Sequence, residues 1–296
     1  MGAADRLVLS AVRISRTLGV SAVLVGALIV GLGTSIPELL VSALAARTGE
    51  LDVAMGNVVG SNVANLTLVL GAAAVLGQVV TRTRALRREW ILMIVTLAVL
   101  AGVLADGRVS RLEGILLLVG LFIALGLMVR WSSEPEARDA GLPIEDDDDK
   151  EVVVWVEAII GVVSLAVTVF AADLLLRGSL DLGHRFGLSP AFLGLLLGVG
   201  TSLPELATTL AAVRRHQSDL IVGNVLGSNL FNSLAVAGTA SVIGPGVLKD
   251  VSVSGLVAMV VASLLAATFS YTGERLARAE GVVLIAFFFV FSMIIF

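Results

Sequence analysis

The chain has 296 residues, 57% hydrophobic and only 15% charged, with a mean hydropathy of +1.00. A soluble domain carries about 25% charged residues, so composition excludes a water-soluble fold, and the lack of Cys excludes disulfides and thiolate chemistry. The net charge of -4 conceals one acidic stretch: residues 132–150 hold eight acids and two bases, leaving +2 elsewhere, too weak a basic balance for a nucleic-acid partner.

A helix crosses the hydrocarbon core with about 20 apolar residues. In chain order, spans are predicted over 18–46, 52–80, 89–105 and 111–131. The polar stretch 132–150 follows and reads as a solvated acidic linker. Its run Asp146-Asp147-Asp148-Asp149-Lys150 resembles a protease tag and lacks the alternating ligands and turn Gly of a calcium loop. Five more spans are predicted over 152–176, 187–213, 219–244, 250–272 and 278–296. There are no short alternating segments of a β-barrel and no cleavable signal peptide at the N-terminus. The expected organisation is a first membrane repeat (1–131), a linker (132–150) and a second membrane repeat (151–296).

An internal repeat decides the architecture. Residues 31–71 align without gaps to 198–238, with 19 of 41 positions identical. Gly31-Leu32-Gly33-Thr34-Ser35-Ile36-Pro37-Glu38 matches Gly198-Val199-Gly200-Thr201-Ser202-Leu203-Pro204-Glu205. Further on, Gly56-Asn57-Val58-Val59-Gly60-Ser61-Asn62-Val63-Ala64-Asn65 matches Gly223-Asn224-Val225-Leu226-Gly227-Ser228-Asn229-Leu230-Phe231-Asn232. Shared hydrophobicity does not explain matches among polar residues. Alternate loops carry eleven Lys and Arg on one side against five on the other, which predicts a cytoplasmic 132–150 loop in a multi-pass cell-membrane protein. The matched spans then run in opposite directions, an inverted repeat of the kind found in secondary transporters. Asp5–Ser21 also aligns with Asp173–Ser189, so the run 152–172 has no counterpart ahead of Met1, and the first helix is expected to be incomplete.

The repeated residues suit a hard cation. An intramembrane carboxylate costs at least about 2.5–3.5 kcal/mol, which marks Glu38 and Glu205 as functional candidates. Pro37 and Pro204, with Gly31, Gly33, Gly198 and Gly200, are expected to break the helices and free backbone carbonyls. Thr34, Ser35, Thr201 and Ser202 add hydroxyls. Asn57, Ser61 and Asn65 share one helix face, as do Asn224, Ser228 and Asn232, and the Gly56/Gly60 and Gly223/Gly227 pairs permit close helix approach. Asn62 and Asn229 lie off those stripes and read as interhelical hydrogen-bonders, while His184 and His216 fall near span ends and read as interfacial. Oxygen donors without Cys or His favour Ca²⁺ over softer metals.

These two blocks resemble the α-repeats of the sodium/calcium exchangers in the cation/Ca²⁺ exchanger superfamily. The resemblance implies an all-α fold of ten helices in two inverted five-helix units. It implies that Glu38 and Glu205 are the Ca²⁺ carboxylates, assisted by Thr34 and Thr201. It also implies Na⁺ sites using Ser35, Ser61, Asn65, Ser202, Ser228, Asn232 and the carbonyls of Gly31 and Gly198. Several relatives carry Asp where this chain has Asn232, which leaves the coupling ion open. The expected function is a Ca²⁺/Na⁺ antiporter, not an enzyme, with inorganic cations and the lipid bilayer as partners, no cofactor and no obligate protein partner. A H⁺- or K⁺-coupled antiporter and a passive cation channel are the alternatives.

Overall fold

The structure, a computed structural model, describes residues 1–77, 79–80, 84–132, 153–187, 200–248, 253–272 and 275–295. Gly198 and the expected linker from 133 onward lie outside the described residues. The first half contains α1 (Gly2–Leu18), α2 (Ala22–Thr34), α3 (Ile36–Arg47), α4 (Leu51–Leu76), α5 (Arg84–Leu104) and α6 (Arg111–Ser132). The second contains α7 (Val154–Arg185), α8 (Leu203–Arg214), α9 (Ser218–Ile243), α10 (Val253–Thr272) and α11 (Arg278–Ile295).

Among the described residues, α4, α6, α7, α9 and α10 are each long and apolar enough to cross a membrane. The span predicted over 18–46 is instead two helices, α2 and α3, bent by 44°. Helix α7 continues nine residues beyond the predicted 176, through Gly178 and Gly183, because Leu180 and Leu182 extend its apolar surface and no Pro intervenes before Gly187. Gly187 (φ 65°) ends it in the left-handed conformation, as Gly19 (φ 63°) ends α1. These matching stops place α1 in register with the second half of α7.

The inverted repeat is visible in the smallest elements. Strand β1 (Val79–Val80) pairs antiparallel with β4 (Arg275–Leu276), and β2 (Arg108–Val109) with β3 (Gly246–Val247). The repeat offset carries β1 onto β3 and β2 onto β4. It therefore turns the pair Val79–Leu276 into Gly246–Val109, which is the register observed. Helix caps repeat as well: Glu113 accepts the Ser110 N–H at 2.7 Å and Glu280 accepts the Ala277 N–H at 2.7 Å.

Helices α4 and α9 form the centre, with 78% and 94% of their apolar windows buried, against 28% for α6 and 22% for α7. Outward residues such as Leu116 and Phe122 on α6, and Ile159 and Phe170 on α7, make the apolar surface that lipid covers. Helix α11 seats on α4, and its copy α6 seats on α9, through facing glycines. A Cβ on Gly71 would lie 2.9 Å from Gly281 O, and one on Gly238 would lie 3.0 Å from Gly114 O. Without a hydrophobic drive between helices in lipid, such close backbone packing supplies the association energy.

Gly71→Leu or Gly281→Leu should therefore force α4 and α11 apart and cost about 1–3 kcal/mol. Gly102→Ala and Gly126→Ala, whose Cβ atoms meet nothing within 4 Å, should be tolerated. Thermal unfolding of the detergent-purified variants separates the two classes.

Candidate cation-binding site

Pro37 and Pro204 occupy the first turns of α3 and α8, where the missing N–H cannot continue a preceding helix. The backbone departs from helical values one step earlier, at Ser35 (φ -87°, ψ 7°) and Ser202 (φ -89°, ψ 10°). Each break puts a glutamate into the first turn of a short helix. Glu38 and Glu205 are both fully buried there, 0% and 1% exposed.

Side chains from both halves meet around these acids. Helix α2 packs against α9 so closely that a Cβ on Gly31 would lie 2.9 Å from Asn224 O, and one on Gly227 would lie 2.5 Å from Ala27 Cα. This contact lets Ser228 Oγ donate to Gly31 O at 3.2 Å. The same carbonyl accepts the Ser35 N–H (3.2 Å) and Thr34 Oγ1 (3.3 Å), so it is hydrogen-bonded rather than freed by the break. Ser35 Oγ donates to Glu205 Oε1 at 3.0 Å, across the repeat boundary.

Many of the remaining polar atoms are buried without a hydrogen-bond partner among the described residues. They are both carboxylate oxygens of Glu38, Oε2 of Glu205, the hydroxyls of Ser61 and Ser202, and the whole amides of Asn65 and Asn232. Asn65 and Asn232 each open a π-helical turn, Asn65–Val69 and Asn232–Val236, a widening often found at functional positions. Thr201 is buried just ahead of Ser202. Among the described residues no three His, Cys, Asp or Glu side chains group as a metal site. The donor set is thus two carboxylates with neutral oxygens.

The first residues of the two polar stripes, Asn57 and Asn224, bond to the neighbouring helices. Asn57 Nδ2 donates to Ser42 Oγ (3.0 Å) and Glu38 O (3.4 Å). Asn224 Nδ2 donates to Thr209 Oγ1 (3.0 Å), Thr208 Oγ1 (3.2 Å) and Glu205 O (3.3 Å). Both amides brace the backbone of the glutamate that faces them, while Ser61, Asn65, Ser228 and Asn232 continue the stripe. Asn62 donates to Ser233 Oγ on α9 at 3.1 Å, as an interhelical hydrogen-bonder should. Asn229 does not: it donates to Val225 O of its own helix at 2.7 Å. The position that would receive it by symmetry is Leu66, which has no acceptor in its side chain. His184 and His216 are exposed.

Sequence reasoning missed a polar cluster on α1. Glu157, 6% exposed near the start of α7, accepts Arg6 Nη2 (3.0 and 3.1 Å), Ser10 Oγ (2.8 Å) and Arg13 Nη1 (2.6 Å). The available signal was the i, i+4, i+7 spacing of these three residues on one helix face. Asp5 of α1 also pairs with Arg214 at the end of α8.

Inverted halves around a buried, acidic, oxygen-lined centre define a polytopic membrane transporter of cations, not an enzyme. The family profile described as "Sodium/calcium exchanger protein" matches residues 1–130 and 156–296. The chain is 36% identical over 303 residues to CaxA of Alkalimonas amylolytica, covering 99% of this chain and 94% of the relative. It is 33% identical over 283 residues to the inner membrane protein YrbG of Escherichia coli, covering 88% and 83%. Its fold matches a solved structure of the sodium-calcium exchanger NCX_Mj with a TM-score of 0.80 at 27% identity, covering 97% of this chain and 92% of that one. The chain belongs to the sodium/calcium exchanger family.

Asn224→Ala should destabilise the protein more than Asn57→Ala, because Asn224 is buried and Asn57 only half-buried, so the acceptors it leaves have less access to water. Interhelical polar contacts in membranes are worth about 0.6–2 kcal/mol, so the difference should appear as a separation in melting temperature. Equal melting temperatures for the two variants would contradict the bracing role.

Proposed function

We propose that the chain is a secondary antiporter exchanging Ca²⁺ for Na⁺ by alternating access to the site between Glu38 and Glu205. The observation that carries this reading is the cluster of buried oxygens without partners. An ionised carboxylate in a low-dielectric interior costs far more than folding returns unless a counter-charge accompanies it. Two such groups call for a charge of +2, which one Ca²⁺ or several Na⁺ supply. Ca²⁺ takes 6–8 oxygens in flexible geometry, a number that Glu38, Glu205, Thr34 and Thr201 approach with their neighbours. Ser35, Ser61 and Asn65 on one side, with Ser202, Ser228 and Asn232 on the other, flank that centre as Na⁺ ligands, and Gly31 O joins them by exchanging its present hydrogen bonds for the ion. Gly198 would complete the symmetry and lies outside the described residues.

Competition for shared oxygens makes the exchange obligatory, since the doubly charged empty site is the costly species to carry between faces. Residues 1–131 and 151–296 act as the two membrane repeats, joined by the 132–150 linker. The excess of Lys and Arg on its side puts that linker in the cytoplasm, with the chain in the inner or plasma membrane.

Ca²⁺ uptake into proteoliposomes loaded in turn with Na⁺, K⁺ or acidic buffer tests the reading. Uptake should require internal Na⁺. Uptake driven by K⁺ or H⁺ would reassign the coupling ion, and uptake with no opposing gradient would indicate a channel. Glu38→Gln and Glu205→Gln should each lower exchange about 100-fold while the protein stays folded, because a neutral amide cannot compensate the ion's charge. Near-normal flux in either variant would overturn the site assignment.

Asn232 supplies a separate test. Asn232→Asp would add a third carboxylate beside two others, and like charges at short range force it to bind a cation or a proton. Its exchange should fall more steeply than that of the unmodified chain as pH drops from about 9 to 6, since a buried Asp titrates above its ordinary range. Superimposable pH profiles would remove Asn232 from the site.

A further inference from the structure

Helix α1 and the second half of α7 are symmetry copies, as are α8 and α3. In the first half-molecule's copy, Asp5 of α1 pairs with Arg214, the last residue of α8. The repeat carries Asp5 onto Asp173 and Arg214 onto Arg47, the last residue of α3. That second pair is not formed. Asp173 is bonded within its own helix to Arg177 at 2.8 Å, and Arg47 is exposed. Packing shows the same asymmetry: α1 lies along α8, whereas α7 makes no comparable contact with α3 among the described residues. The ion pair is formed at one end of the bundle and not at the other.

We propose that Asp5–Arg214 and Asp173–Arg47 are reciprocal latches, one closed in each of the two end states of the transporter. This rests on the alternating-access reading above. Because the halves are inverted, Arg214 and Arg47 sit at opposite membrane faces, so exchanging the conformations of the halves exchanges which pair is formed. Leu9 stands where α7 has Arg177, so Asp5 has no competing partner four residues along its own helix. Arg177 therefore holds Asp173 in reserve while the Arg47 face is open. Glu157, by gripping Arg6, Ser10 and Arg13, fastens α1 to α7 and carries both aspartates on one helix pair. Partly exposed ion pairs of this kind bias a two-state equilibrium by up to about fivefold. That is enough to favour a state and too little to trap the carrier in it.

The chain contains no Cys, so thiol pairs can be introduced cleanly. Asp5→Cys with Arg214→Cys, and Arg47→Cys with Asp173→Cys, are to be reconstituted in the full chain and treated with a short thiol cross-linker. Each pair should cross-link, each cross-link should stop exchange, and a reductant should restore it. In a chain carrying all four Cys, a link at one pair should exclude the other. Charge variants give a second reading. Asp5→Asn should raise the half-saturating cation concentration measured from the Arg47 face by up to about fivefold, and Asp173→Asn should lower it. An Arg47–Asp173 pair that never links in a chain that still exchanges cations would overturn the latch, as would shifts of the same sign for both variants. A chain that links at both pairs but exchanges no cations would overturn the transport reading and leave the two-state latch standing.

Discussion

Two carboxylates held without counter-charges in the middle of an apolar bundle set the terms for the rest of the molecule. Glu38 and Glu205 are as buried as the leucines around them. Almost no accessible surface remains on them, and among the described residues neither Lys, Arg nor His is bonded to them. Such groups stay in place only if the backbone holding them has no easier conformation. Pro37 and Pro204 fix the turns from which they project, and Asn57 and Asn224 bind the carbonyls of the glutamates themselves. Gly31, Gly223 and Gly227 let α2 and α9 approach closely enough to bring both halves to one point. Each device serves the same electrostatic problem.

Symmetry makes the solution economical. One five-helix pattern used twice supplies both walls of the centre, so the Gly71–Gly281 contact and the β1–β4 register need no independent invention in the Gly114–Gly238 contact and the β2–β3 register. Departures from symmetry then become informative. Ser233 and Leu66 occupy matching places, and that single difference turns Asn229 back on its own helix while Asn62 reaches across to α9. Ser35 is bonded to Glu205, whereas among the described residues Ser202 has no partner and Glu38 keeps both oxygens unbonded. The first kind of departure is written in the residues, and the second belongs to the conformation.

The architecture was legible because polar residues repeated inside apolar spans have no other explanation than a shared local structure. The break ahead of Pro37 was legible for the same reason, although its outcome as two helices bent at Ser35 was not. Propensity marks where a helix weakens, while the bend angle is set by what the next segment packs against. The bracing by Asn57 was hidden because Ser42, its partner, lies fifteen positions away on another helix and outside both motifs. The cluster around Glu157 was hidden for a similar reason. Its Arg and Ser partners sit on α1, where a short amphipathic stretch reads as surface until α7 is seen against it. Spacing within one helix reports which residues share a face, but not what that face meets.

An exchanger needs two end states of nearly equal free energy, since a gap of several kcal/mol leaves one face almost never open. A molecule built from two unrelated halves would need separate tuning of each state. Inverted copies approach equality by construction, because the second state is close to the first with the roles of the halves reversed. Only the positions where the copies differ can unbalance them, among them Leu66 against Ser233, Leu9 against Arg177 and Val41 against Thr208. The copies differ at 22 of the 41 aligned positions in all, and the three named here each change one or two hydrogen bonds or one exposed ion pair, with net values of about 1 kcal/mol or less apiece. Each such polar difference is therefore of the size that biases an exchanger toward one face without arresting it there.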